Sequence, residues 1–150
     1  MTTLNAYYFD DFEVGMTFDS RSITISESQI LDFALKYDPQ PIHLDVPGAT
    51  EGAFGGLIAS GFQTLSLTFR MFWDLGVMAE CGMGAPGIDD LRWHRPVRPG
   101  DTLRTKAEVT AVRASKSKPD RGTVTLLYKG FNQNDECVIS FSVNQIMRKA

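Results

Sequence analysis

The sequence predicts an α+β fold in which a curved antiparallel sheet wraps a long central helix. Three observations predict it. The stretch from Leu57 to about Gly76 carries apolar residues nearly all round at helical spacing. Four runs in the second half alternate apolar and polar residues with a period of two. Short turns rich in Gly, Pro and Asn separate those runs, so neighbouring strands run antiparallel. A helix that is apolar on every side must be buried, and a sheet rolled around it is the economical cover.

The elements follow in order. Phe18 to Ile25 reads as a strand. Ser26 then starts a helix: Gln29, three residues on, completes a capping box, and Ile25 and Ile30 stand where a hydrophobic staple forms. Apolar residues continue at helical spacing from Ile30 to Tyr37. Pro39 ends the helix there, because a residue before proline disfavours helical geometry. Asp38 to Gly56 is expected to be mostly loop, stiffened at its start by Pro39 and Pro41. The long helix is expected over Leu57 to Gly76, with Ile58, Phe62, Leu65, Phe69 and Phe72 stepping by four and three; it would span roughly 30 Å. Strands follow around Leu91–Val97, Leu103–Ala111, Val124–Tyr128 and Cys137–Met147, with turns at Pro99-Gly100-Asp101, Lys116–Gly122 and Asn132–Asp135. A curved sheet around one helix is the hotdog arrangement. The length of 150 residues suits one such domain over 1–150.

Composition excludes several classes. Apolar residues make up 43% and charged residues 22%, as in ordinary globular proteins. A net charge of −3 gives no general attraction to nucleic acid or to an anionic membrane. The Leu57–Met78 stretch is interrupted by Arg70, Asp74 and several Ser and Thr residues, too polar for a membrane span. Met1 to Asn5 lacks a basic start followed by an apolar run, so no signal peptide is expected. Cys81 and Cys137 make neither a disulfide framework nor a CxxC pair. A reducing cytoplasm is the simplest setting. With only His43 and His94, and no cysteine cluster, no metal site is expected, although Asp45 lies near His43. The glycine and serine residues match neither a phosphate-binding loop nor a nucleophile elbow.

The most informative segment is Tyr37-Asp38-Pro39-Gln40-Pro41-Ile42-His43-Leu44-Asp45. It sets a carboxylate and an imidazole five residues apart in a loop stiffened by two prolines. Together such groups can grip a water molecule and take its proton. This segment resembles the Asp-x-Asn-Pro-aliphatic-His-x-Asp motif of MaoC-like, or (R)-specific enoyl-CoA hydratase, proteins, with Gln40 where Asn is usual. Ile58-Ala59-Ser60-Gly61-Phe62 resembles the family's His-Gly pair at the start of its central helix, with Ser60 in place of His. Leu91-Arg92-Trp93-His94-Arg95-Pro96-Val97-Arg98-Pro99-Gly100-Asp101-Thr102-Leu103 resembles its following strand, which hotdog thioesterases share in weaker form. The three matches stand in the expected order.

The resemblance implies a hotdog enzyme that reversibly hydrates a trans-2-enoyl-CoA to a (R)-3-hydroxyacyl-CoA. Asp38 and His43 would be the catalytic pair and the Gly61 N–H the oxyanion hole, a role that requires the helix to begin near Ser60 rather than Leu57. No cofactor is implied; coenzyme A is part of the substrate. Ser60, Arg92 and Arg95 are candidate substrate contacts, the arginines within a group completed by Arg98 and Arg104. A solvated strand face is the other reading of that group, and a soluble turn that of Arg113, Lys116, Lys118 and Arg121. Ser60 also suits a helix cap. The open edges of such a sheet point to a homodimer or higher homo-oligomer. Two alternatives stand beside the hydratase: a hotdog acyl-CoA thioesterase, and a non-catalytic acyl-CoA-binding subunit.

Overall fold

The structure, a computed structural model, describes residues 6–150. The expectation about a leader at Met1–Asn5 lies outside the described residues. In chain order the elements are β1 (Thr17–Asp19), β2 (Ile23–Thr24), α1 (Glu27–Tyr37), α2 (Pro41–Leu44), α3 (Val46–Glu51), α4 (Gly61–Trp73), β3 (Ile88–Trp93), β4 (Thr102–Ala114), β5 (Arg121–Phe131) and β6 (Cys137–Arg148). The strands form one antiparallel sheet in the order β1-β4-β5-β6-β3, with β2 pairing further along β4. The fold is α+β, a hotdog with α4 as its central helix.

The long strands bury one face. Leu103, Thr105, Ala107 and Val109 of β4, Val124, Leu126 and Tyr128 of β5, and Ile139, Phe141, Val143 and Met147 of β6 all point into the core. The register sets Tyr128 opposite both Ala107 and Phe141. Tyr128 stacks on Phe141 with ring centroids 4.8 Å apart, and the edge of Phe72 meets it from α4. A small residue on one side and aromatics on the other let the rings interlock.

Helix α4 lies on this face in a way that its pattern did not foretell. The expected central helix ran from Leu57 to Gly76, with its large apolar residues buried. The observed helix runs from Gly61 to Trp73, and its buried residues are Gln63, Thr64, Thr68, Met71 and Phe72, while Phe62 is 58% exposed. The reason is close approach. A Cβ on Gly130 would stand 2.9 Å from Thr68 Oγ1 and 2.8 Å from Ile139 Cγ2, so only glycine fits beneath the helix. Small threonines permit that contact, and their hydroxyls are satisfied: Thr68 Oγ1 donates to Thr64 O at 2.7 Å, and Thr105 Oγ1 donates to Thr68 O at 2.7 Å. Leu57 to Ala59 is buried for another reason. It is an extended strap, tied by Ile58 N–H to Ile42 O and by Ala59 N–H to Val97 O. A short apolar run cannot by period alone distinguish a strap from a helix.

Other boundaries also move. The single strand expected over Phe18–Ile25 is two short strands. At the break, the Ser20 side chain accepts the Thr105 N–H at 2.8 Å, replacing a backbone carbonyl in the ladder. The loop after Asp38 contains α2 and α3, each with proline in its first turn, where its missing N–H costs nothing. The strand expected over Leu91–Val97 starts earlier, at Ile88, and ends at Trp93; a bulge lies between Asp89 and Arg92, with Asp90 at φ +54°. The Ser26–Gln29 capping box and the end of α1 at Tyr37 are as expected, with Ser26 N–H to Gln29 Oε1 at 2.9 Å and Gln29 N–H to Ser26 Oγ at 3.2 Å. Gln63 Nε2 donates to Gln29 O at 3.0 Å and ties the first turn of α4 to the first turn of α1; the end of α1 meets the start of α4 through Ser60 and Asp38.

Candidate active site

The site is built where α1 stops, α2 turns and α4 begins. Asp38 caps the C-terminus of α1, its N–H bonded to Ala34 O, and Pro39 turns the chain away. Gln40 and Pro41 open the single turn of α2, which carries His43 inward until it is 4% exposed. There His43 Nδ1 lies 2.7 Å from Ile58 O on the strap. A carbonyl only accepts, so Nδ1 carries the proton in this bond. That leaves Nε2 turned toward Asp38 Oδ2, 3.3 Å away.

The tautomer gives the pair its chemistry. When His43 is neutral, its Nε2 is an acceptor beside a carboxylate, which is also an acceptor. Two converging acceptors do not bond to each other, but they match the two O–H groups of one water molecule. When Nε2 gains a proton, the result is an imidazolium against a carboxylate, stabilised as an ion pair. The pair can therefore hold water and take its proton without rearrangement.

Asp38 is kept ionised by its neighbours. Ser60 Oγ donates to Asp38 Oδ2 at 2.7 Å, and Gln40 Nε2 donates to Oδ1 at 2.7 Å. The Ser60 hydroxyl is the largest cause holding this carboxyl below its ordinary value; Gln40 follows, burial opposes them, and His43 adds a smaller pull downward.

Gly61 is the first residue of α4, where backbone N–H groups lack partners within the helix. Its N–H has no intrachain acceptor among the described residues. It lines a cleft of about 500 Å³ together with Asp38, His43, Phe62, Trp93 and Arg95. The helix thus begins at Ser60–Gly61, as the oxyanion role requires.

The remaining expected residues divide between the site and the rest of the fold. Ser60 is fully buried; it caps α4 through Phe62 N–H at 3.3 Å and supports Asp38. Arg95 borders the cleft and pairs with Glu136 at 2.8 Å. Arg92 is exposed and turns back to its own strand at Leu91 O. Arg98 holds Phe54 O, and Arg104 pairs with Asp135 while lying 4.6 Å over the Phe131 ring, so these two are occupied within the fold. Asp45 caps α3 by accepting Gly48 N–H at 3.1 Å. Among the described residues no three His, Cys, Asp or Glu side chains cluster, and no helix is long and apolar enough to cross a membrane.

Residues 11–130 match the family model described as MaoC like domain. The chain belongs to this MaoC-like family. A MaoC-like dehydratase from Rhodospirillum rubrum is similar in structure, with a TM-score of 0.90 and 35% identity over 97% of this chain and 99% of that one. The unliganded R-hydratase PhaJ1 of Pseudomonas aeruginosa gives a TM-score of 0.73 with 26% identity, covering 95% of this chain and 85% of that chain. In sequence, a 3-hydroxybutyryl-CoA dehydratase of Methylorubrum extorquens is 38% identical over 108 residues, 71% of this chain and 66% of the relative. Within this MaoC-like chain, sequence reasoning missed the donation from Ser60 to Asp38 and the contact between Trp93 and Gly61. The first pairs residues 22 apart, the second residues 32 apart. Neither spacing leaves a local signal.

Proposed function

We propose that this protein reversibly hydrates a trans-2-enoyl-CoA to a (R)-3-hydroxyacyl-CoA. The observation that carries the proposal is the His43 tautomer: Nδ1 bound to Ile58 O leaves Nε2 and Asp38 Oδ2 as two acceptors 3.3 Å apart, on residues that line the same cleft as Gly61. Water held by the pair gives up a proton as its oxygen bonds to C3 of the enoyl group. The C2=C3 electron pair moves toward the thioester carbonyl, whose developing charge the Gly61 N–H and the α4 dipole stabilise. The proton then passes from the pair to C2. Net addition of water leaves no electrons to be supplied or removed. The (R) configuration is carried by the likeness to the R-hydratase. Arg95, at the cleft wall, is the arginine placed to meet a substrate phosphate in exchange for Glu136.

A panel of trans-2-enoyl-CoA substrates of increasing chain length tests the reading. Loss of the enoyl absorbance without release of free thiol is expected. Thiol release would mean that water attacks the carbonyl carbon and that the protein is a thioesterase. Tight acyl-CoA binding with no turnover would make it a binding subunit.

We also infer a homodimer. Among the described residues strand β3 pairs only with β6 and is an edge strand; its Ile88 and Trp93, and Phe62 against Trp93, are about half exposed. An open edge next to exposed apolar side chains suits a matching edge from a second copy. Sedimentation at micromolar concentration should show a dimer or larger assembly; a stable monomer would contradict this.

A further inference from the structure

Trp93 ends the edge strand β3 and is 48% exposed, yet its polar tip is engaged. The indole Nε1–H donates to the Gly61 carbonyl at 2.9 Å. A Cβ on Gly61 would come within 2.5 Å of Trp93 Cε2, 2.7 Å of Nε1 and 2.8 Å of Cζ2, closer than packed atoms approach. The indole therefore fills the space that any side chain at position 61 would need. The Phe62 ring meets Trp93 nearly edge-on, with centroids 6.3 Å apart, and braces it from the next residue of α4.

We propose that Trp93 is a positioning residue for the Gly61 N–H, and that its indole is the reason position 61 is glycine. The inference rests on the assignment of Gly61 as the donor to the thioester oxygen. Glycine is the residue with the widest backbone freedom, a poor choice for a donor that must be held in one direction. The structure removes that freedom from outside. An indole is a donor only, so its bond to the Gly61 carbonyl has one polarity, and the ring lies against the Cα that separates this carbonyl from the reacting N–H. A donor aimed before the reaction stabilises developing charge without reorganisation. The edge strand thus sets the direction of the helix's first N–H.

The test uses the full chain and a short trans-2-enoyl-CoA. Trp93→Phe keeps a ring but removes the donor; kcat should fall about tenfold with KM within about twofold and thermal unfolding unchanged. Gly61→Ala should lower turnover by about a hundredfold, as expected for misplacement near 1 Å. In a Trp93→Ala background, adding Gly61→Ala should cost less than about tenfold more, because the clash is gone. In parallel, amide spectra of the ligand-free protein should show the Trp93 indole proton protected from exchange and the Gly61 amide displaced in Trp93→Phe. Full kcat in Trp93→Phe, a loss confined to KM, or additive effects at the two positions would overturn the proposal. If the wild-type chain hydrates no enoyl thioester, the hydratase reading fails by itself. The spectra then decide about Trp93: a displaced Gly61 amide supports the positioning role, and an unmoved one removes it.

Discussion

Replacing Ser60 with alanine removes two hydrogen bonds of unequal worth. One is the cap to Phe62 N–H, long at 3.3 Å, so its loss should cost about 0.5 kcal/mol, the low end for caps. The other is the 2.7 Å bond to Asp38 Oδ2, to a charged acceptor and with Ser60 fully buried; such bonds contribute about 1.5–3 kcal/mol. Ser60→Ala should therefore lower stability at neutral pH by about 2–3.5 kcal/mol, or about 4–14 °C in Tm for a chain of this size. A cap alone, as the sequence suggested, would cost about 1 kcal/mol and leave turnover intact. The pH dependence separates the two. Asp38 is held below its ordinary value, with Ser60 the first cause. A depressed carboxyl contributes stability that is present above its unfolded pKa, near 3.9, and is lost as pH falls through the folded value. The deficit of the alanine variant should thus be full at pH 6–7, taken as a working range of about two units above that value, and should shrink in more acidic solution. The acid limb of kcat/KM, which reports ionised Asp38, should move to higher pH. The assays are urea unfolding and kcat/KM across the acid range. A stability loss with an unmoved acid limb would refute the support of Asp38 by Ser60 and return Ser60 to a simple cap.

Two further outcomes follow from the same geometry. Gln40→Ala removes the second donor to Asp38; its acid limb should move in the same direction as that of Ser60→Ala but by less, with little change in unfolding, because Gln40 is exposed. Gly130→Ala forces a Cβ against Thr68 and Ile139 and should cost about 1–3 kcal/mol by overpacking, lowering Tm while folded molecules keep their turnover.

The sheet, the capped first helix and the Asp38–His43 pair were legible in the sequence because each rests on local signals: period-two alternation, a Ser-x-x-Gln box, and a motif within eight residues. The start of α4 was not. Leu57 to Ala59 is apolar because it is a buried strap, and only its bonds to Ile42 and Val97 reveal that. The burial of small Thr68 in α4, where larger apolar residues were expected, follows from Gly130 on a strand more than sixty residues away in the chain. The partners of the arginine group were hidden for a similar reason. Asp135, Glu136 and the Phe54 carbonyl, all distant in sequence, engage three of its members. Asp45 sits inside the recognised motif but serves α3 as a cap, so the motif marks the place without giving every residue in it the same task.

The central claim is that Asp38 and His43 together activate the water that adds to the enoyl thioester. Its most direct test is the turnover of Asp38→Asn and His43→Ala, each shown by thermal unfolding and circular dichroism to be folded, on the trans-2-enoyl-CoA that the wild-type chain uses best. Loss of a general acid–base group typically costs about 10²–10⁴-fold. The account predicts losses in that range for each variant, carried by kcat. Near-full hydration by either folded variant would contradict it.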